Sequence, residues 1–167
     1  RPRWEWRWFG RRFGPAESRL AALTPSAVQE SSETYLLSGA GDNVKVRDAL
    51  MDIKVLREVD DNGLEQWTPV MKAGFPLPAA DVAKVFAALR LDPPPLARAS
   101  YDLKQFIDEI AVPSGRIRAI DVRKRRVRYT VGGCMAELSD VVADGKATRT
   151  IAVESEEAAA VIAAVRS

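Results

Sequence analysis

Histidine is absent from the 167-residue sequence, and cysteine occurs once, as Cys134. Without an imidazole, Ser-His or Cys-His nucleophile activation, histidine-ligated zinc and imidazole acid-base catalysis are excluded. A lone cysteine excludes an intramolecular disulfide and any thiolate metal cluster. A metal site in this chain would be built from carboxylates, which suit magnesium or manganese rather than zinc. A charge excess is missing too: 25 Lys and Arg stand against 23 Asp and Glu, a net charge of +2. That is too little for bulk attraction to nucleic acid or acidic membranes, so electrostatic function must come from local arrangement. No apolar run approaches the roughly 18 to 20 residues of a membrane span. The first residues, Arg1-Pro2-Arg3-Trp4-Glu5-Trp6-Arg7-Trp8, alternate charge where a signal peptide has an apolar stretch. A soluble cytoplasmic protein with no membrane partner is expected.

What is present suits a folded domain. Hydrophobic residues make up 47% and charged residues 29%, and the length predicts one domain over residues 1–167. Strict two-residue alternation over 3–9 predicts a strand, with Arg3, Glu5 and Arg7 on one side and Trp4, Trp6 and Trp8 on the other. A short helix over 16–23 follows, opened by Pro15 and stopped by Thr24-Pro25. Strands are expected at 33–37, 44–48, 51–58 and 64–71, the last two joined by a turn ending in Asn62-Gly63. Helical spacing of Val82, Val85, Phe86 and Leu89 predicts a helix over 81–91, with Asp81 as its cap. A second helix over 101–110 carries Leu103, Phe106, Ile107 and Ile110 on one face. Three long strands at 117–129, 134–142 and 148–154 are joined by Gly132-Gly133 and Asp144-Gly145, and a helix starts after Glu156-Glu157. About eight antiparallel strands with interposed helices give an α+β class built on a barrel or strongly curved sheet.

Charge at two-residue spacing recurs on strand after strand. Arg3, Glu5 and Arg7 share a face, as do Lys45 and Arg47, Asp52 and Lys54, and Lys124, Arg126 and Arg128. Glu137 and Glu154 sit on the last two strands. In an ordinary sheet these charges face water and the alternate residues form the core. Turned inside out, the apolar residues lie under helices and the charges line a hydrated tunnel, as wider barrels allow. Such a tunnel suits an anion, because crowded desolvated cations need one. Polyphosphate fits, since arginine forks pair with phosphate oxygens and lysines act as point charges.

These residues resemble the CYTH superfamily, the triphosphate tunnel metalloenzymes. Arg3-Trp4-Glu5-Trp6-Arg7 resembles the family's opening E-x-E-x-K strand, with Arg3 in place of the first Glu and Arg7 in place of the Lys. Lys45-Val46-Arg47 and Lys54 resemble its next basic positions, and Lys124-Arg125-Arg126 before Tyr129 resembles its K-x-R strand. Ala152-Val153-Glu154 resembles the closing E-x-E, with alanine in place of the first Glu. The resemblance runs over nearly the whole chain. It implies an eight-stranded antiparallel β-barrel, a triphosphate tunnel with helices packed outside. It also implies that Lys45, Arg47, Lys54, Lys124 and Arg126, with Arg7 and Arg128, contact phosphate. Glu5, Glu137 and Glu154 would be the catalytic residues and hold Mg2+ or Mn2+. The function implied is metal-dependent binding and hydrolysis of inorganic tripolyphosphate or an organic triphosphate. The alternative is a non-catalytic polyphosphate- or nucleotide-binding module, because losing carboxylates can remove turnover and leave binding intact.

Other features carry less. The run Arg123 to Arg128 suggests RNA binding, but on a strand it splits between two faces, which disfavours nucleic acid as a partner. The tryptophans read as helix-packing residues and Cys134 as a small buried one. Glu65 and Lys72 are further tunnel candidates, on a strand whose register Pro69 disturbs. Asp140 falls on the opposite face from Glu137.

Overall fold

The computed structural model describes all 167 residues, Arg1 to Ser167. It comprises β1 (Arg3–Gly10), α1 (Pro15–Ala21), β2 (Ala27–Leu37), β3 (Asn43–Arg47), β4 (Leu50–Val59), β5 (Glu65–Gly74), β6 (Leu77–Pro78) and α2 (Ala79–Ala88). Then come β7 (Ser100–Tyr101), α3 (Leu103–Gln105) running into a π-helical stretch (Phe106–Ala111), β8 (Arg118–Val131), β9 (Cys134–Ala143), β10 (Lys146–Ser155) and α4 (Ala158–Arg166). Eight strands close a barrel in the order β1-β10-β9-β8-β2-β3-β4-β5, and β6 pairs with β7 in a separate ribbon. The expected α+β class and closed antiparallel barrel are what the chain forms.

Turn chemistry fixes the long hairpins. β8 and β9 meet at Val131 and Cys134 with only Gly132-Gly133 between them. Both glycines have positive φ, 56° and 76°, as a two-residue turn matching the strand twist requires. Asp144-Gly145 does the same between β9 and β10.

Contacts group the chain into two compact units. The first holds Arg1–Ser32, Leu56–Thr68 and Val122–Ser167; the second holds Glu33–Val55 and Pro69–Asp121. In the first, Tyr129, Ile151 and Val153, with Trp4 and Trp6, pack against Leu20 of α1 and Val161 of α4. In the second, Val44, Val46, Met51 and Ile53 pack against Val82, Val85 and Phe86 of α2. In each unit the apolar face of the strands is the one covered by helix. The charged face is therefore turned into the closed barrel, as the inside-out arrangement requires.

Several boundaries differ from the sequence expectation. β2 begins at Ala27 rather than at 33, because Gln29, Glu30, Ser31 and Ser32 give that half no apolar alternation. The expected helix over 101–110 begins at Leu103, since Tyr101 belongs to β7 and Asp102 forms a capping box with Gln105. Asp81 does not cap α2; Pro78 holds that position, and Asp81 lies in the first turn beside Lys84. Pro69 interrupts nothing, and β5 runs unbroken to Gly74. Trp8 is not covered by a helix and is 63% exposed.

Candidate functional site

In the first unit the strand register lays charged residues in rows across β1, β10, β9 and β8. Arg7 faces Ala152, Ala152 faces Glu137, and Glu137 faces Arg128. Toward Arg3 along β1, Glu5 faces Glu154 on one side and Glu65 of β5 on the other. In the opposite direction, Thr150 faces Ser139, and Ser139 faces Arg126. Arg7 joins these rows. Its Nε donates to Glu5 Oε1 at 2.8 Å and its Nη2 to Glu5 Oε2 at 3.3 Å and Glu137 Oε1 at 3.0 Å. Its Nη1 donates to Thr150 Oγ1 at 3.0 Å.

The other acids of this set are engaged as well. Glu137 Oε2 accepts from Ser139 Oγ at 2.5 Å and lies 3.9 Å from Arg126 Nε. Glu154 lies 3.8 Å from Arg3 Nη1. Burial alone would raise the pKa of Glu137, but the Arg7 charge, the Ser139 hydroxyl and Arg126 outweigh it and hold the carboxyl at about 2. Burial would likewise lower the Arg7 pKa, and its bonds to Glu5 and Glu137 outweigh that and raise it. Glu65 shows the reverse balance: burial and the facing Glu5 raise its pKa, with Arg7 only partly compensating.

The second unit builds a different set. Glu33 of β2 faces Arg47 of β3, Tyr35 faces Lys45, and Lys45 faces Asp52 of β4. The Glu33 side chain has no exposure at all; Arg47 Nη1 stands 3.5 Å and Lys45 Nζ 4.0 Å from its carboxylate. Arg47 Nη2 lies 3.8 Å from Asp52, and Lys45 Nζ sits 5.7 Å from the Tyr35 ring centroid. Lys45 itself is only 6% exposed.

Of the residues expected from the sequence, Glu5, Arg7, Arg126 and Glu137 come together in the first unit, with Glu154 beside Arg3. Arg128 and Glu154 also line a cavity of about 10 Å³ with Met135, Ala136, Glu137 and Ala152, room for about one water. Lys124 is half-buried on the same face of β8 as Arg126, while Arg123 and Arg125 are exposed on the other. In the second unit Lys45 and Arg47 come together, Lys54 is half-buried opposite Asn43, and Lys72 is exposed. Glu33, Ser139 and Thr150 were not anticipated. For Glu33 a signal existed: Leu36 is the core residue of β2, so Glu33 and Tyr35 fall on its other face.

The donors do not suit magnesium or manganese. Glu5 and Glu137 are bridged by one guanidinium and Glu154 is paired with another, and no three acidic side chains are gathered to hold an ion. A hard cation needs several oxygen ligands of near-octahedral geometry, and here an arginine occupies the position between the acids.

No protein-family model matches the sequence. No curated protein matches it either. Solved structures do match in fold. One, described as a "putative adenylate cyclase" from Bacillus halodurans, superposes with a TM-score of 0.50 at 11% identity, covering 99% of this chain and 87% of that one. Another, from Hippeastrum, is described as a "putative adenylyl cyclase" with a dominant triphosphatase activity. It gives a TM-score of 0.49 at 12% identity, covering 99% and 84%. The chain thus has the closed-barrel fold that its resemblance to the CYTH superfamily implied.

Proposed function

We propose that the protein binds a triphosphate-containing small molecule or inorganic polyphosphate through the basic side chains that face into the barrel. The observation that carries this reading is the burial of the cations. Lys45 is 6% exposed and the Arg126 side chain 13%, where charges persist only with partners of opposite sign. Lys45, Arg47, Lys54, Lys124, Arg126 and Arg128 supply fork and point-charge donors of the kind phosphate oxygens accept. The cavity beside Arg128 has room for only about one water, so a phosphate enters by displacing carboxylates as the acceptors of Lys45, Arg47 and Arg126. Nucleic acid is a poor fit to the same chain, because the Arg123 to Arg128 run turns only Arg123 and Arg125 outward.

Binding without turnover is the form of this function that the donor set supports best. Hydrolysis is the second reading, and the observation in its favour is Glu65. A carboxyl whose pKa is raised by burial and a facing acid is suited to exchange protons during reaction. Calorimetric titration with tripolyphosphate, together with a phosphate-release assay in magnesium or manganese, decides between them. Heat of binding without released phosphate supports the binding module. Phosphate release that Glu65→Gln abolishes establishes the hydrolase.

A further inference from the structure

We infer that the barrel takes its triphosphate without a divalent cation, because Arg7 holds the place between the acids that such a cation would need. This deepens the triphosphate reading and rests on it.

Geometry supports the inference in three ways. First, Arg7 crosses a strand. Its donors reach Glu5 on its own strand and Glu137 on β9, although β10 lies between β1 and β9. Strands two apart in a sheet are separated by about 9 to 10 Å, so only a long side chain spans the gap. Second, the residue crossed is Ala152, which faces Arg7 on one side and Glu137 on the other. A longer side chain there would stand in the path of the guanidinium, so Arg7 and Ala152 form one arrangement. Third, the bridge is complete on its acceptor side, with Thr150 Oγ1 taking a hydrogen bond from Nη1. A guanidinium joining two carboxylates from two strands compensates one of their two charges and holds both by hydrogen bonds, and it has no coordination sites to offer water or phosphate. A magnesium ion would have to displace it and leave Arg7 buried without its acids, which is unfavourable twice over.

The phosphates then meet cations directly. Arg126 is 3.9 Å from the Glu137 oxygen that Arg7 does not hold, and Arg128 faces Glu137 on β8. Arg126 is positioned to exchange that carboxylate for a phosphate oxygen, with Arg128 on the same strand face, while Arg7 keeps its bonds to both acids.

The test is the affinity of wild-type protein for inorganic tripolyphosphate, measured in a chelator and again in excess magnesium at equal ionic strength. The expected result is binding in the chelator at least as tight as with magnesium. Binding tighter by more than about tenfold with magnesium overturns the inference and leaves the triphosphate reading standing. No binding in either condition overturns the triphosphate reading itself. A second measurement reads the site without the phosphate: manganese bound by the protein alone, followed by electron paramagnetic resonance. Wild type should bind no manganese, and Arg7→Ala, which frees Glu5 and Glu137, should gain a site. If Arg7→Ala does not fold, Arg7→Lys serves, since a single ammonium replaces the fork. Tight manganese binding by wild type, unchanged in either variant, overturns the inference.

Discussion

Acids and bases are linked in different ways in the two charged regions of the barrel strands. In the first unit one arginine serves two acids, with Arg7 bridging Glu5 and Glu137. In the second, the shared group is an acid, with Glu33 facing both Lys45 and Arg47 and Asp52 standing beside Arg47 as a second acid. The difference shows in burial: the Glu33 side chain has no exposure, whereas those of Glu5 and Glu137 keep 17% and 18%. With Asp52 counted, two bases meet two acids there, and the shared acid is the fully buried one. A base shared by two acids holds the Glu137 carboxyl in its charged form and takes up both acids that a metal would need.

Removing the shared acid should break this comparison most severely. Glu33→Gln removes the fully buried acid between Lys45 and Arg47 and leaves them Asp52, and should lower stability by about 3 to 5 kcal/mol, as loss of one partner of a buried pair does. Denaturant unfolding measures it.

Acid should separate the two regions next. The Glu137 carboxyl, near 2 when folded and about 4.5 ordinarily, contributes about 3 kcal/mol at neutral pH. Its folded pKa is depressed, so this contribution is complete above about 4.5 and is lost as pH falls through about 2. Unfolding midpoints followed down that range should drop for wild type and lose that part of the drop in Glu137→Gln.

A smaller effect is expected on binding. Lys45→Met and Arg126→Met should each weaken tripolyphosphate binding by about 1.5 to 3 kcal/mol, the worth of a hydrogen bond to a charged group, measured by calorimetry. The smallest change should come from outside both regions. Arg98→Ala removes a surface pair with Glu109, and its melting temperature should match wild type within error.

The alternation in 43–47 and 122–131 made the barrel faces legible, because Val44 and Val46 against Lys45, and Val127 and Tyr129 against Arg126, separate core from lumen at the sequence level. Covering helices were legible for the same reason in Val82, Val85 and Phe86. The Arg7 bridge was not. It depends on Ala152 standing between Arg7 and Glu137, a register relation among three strands from distant parts of the chain. Glu33 was missed as a partner because its bases lie beyond the next turn, and β6 and β7 because two residues show no period. The family pattern pointed to Glu5, Glu137 and Glu154 as a metal set. The side chains of Arg3 and Arg7, which stand where that pattern has other residues, are what occupy those acids.

Thermal unfolding with and without tripolyphosphate, in wild type and in Arg126→Met, tests the central claim that buried barrel cations grip a polyphosphate. At about a hundred times its dissociation constant, the ligand should add about 2.7 kcal/mol to wild type, a rise of roughly 5 to 10 °C for a chain of this size. The variant should gain clearly less at the same concentration, and sulfate at equal ionic strength should not reproduce the rise. An unmoved wild-type midpoint, or an equal rise in the variant, would contradict the account.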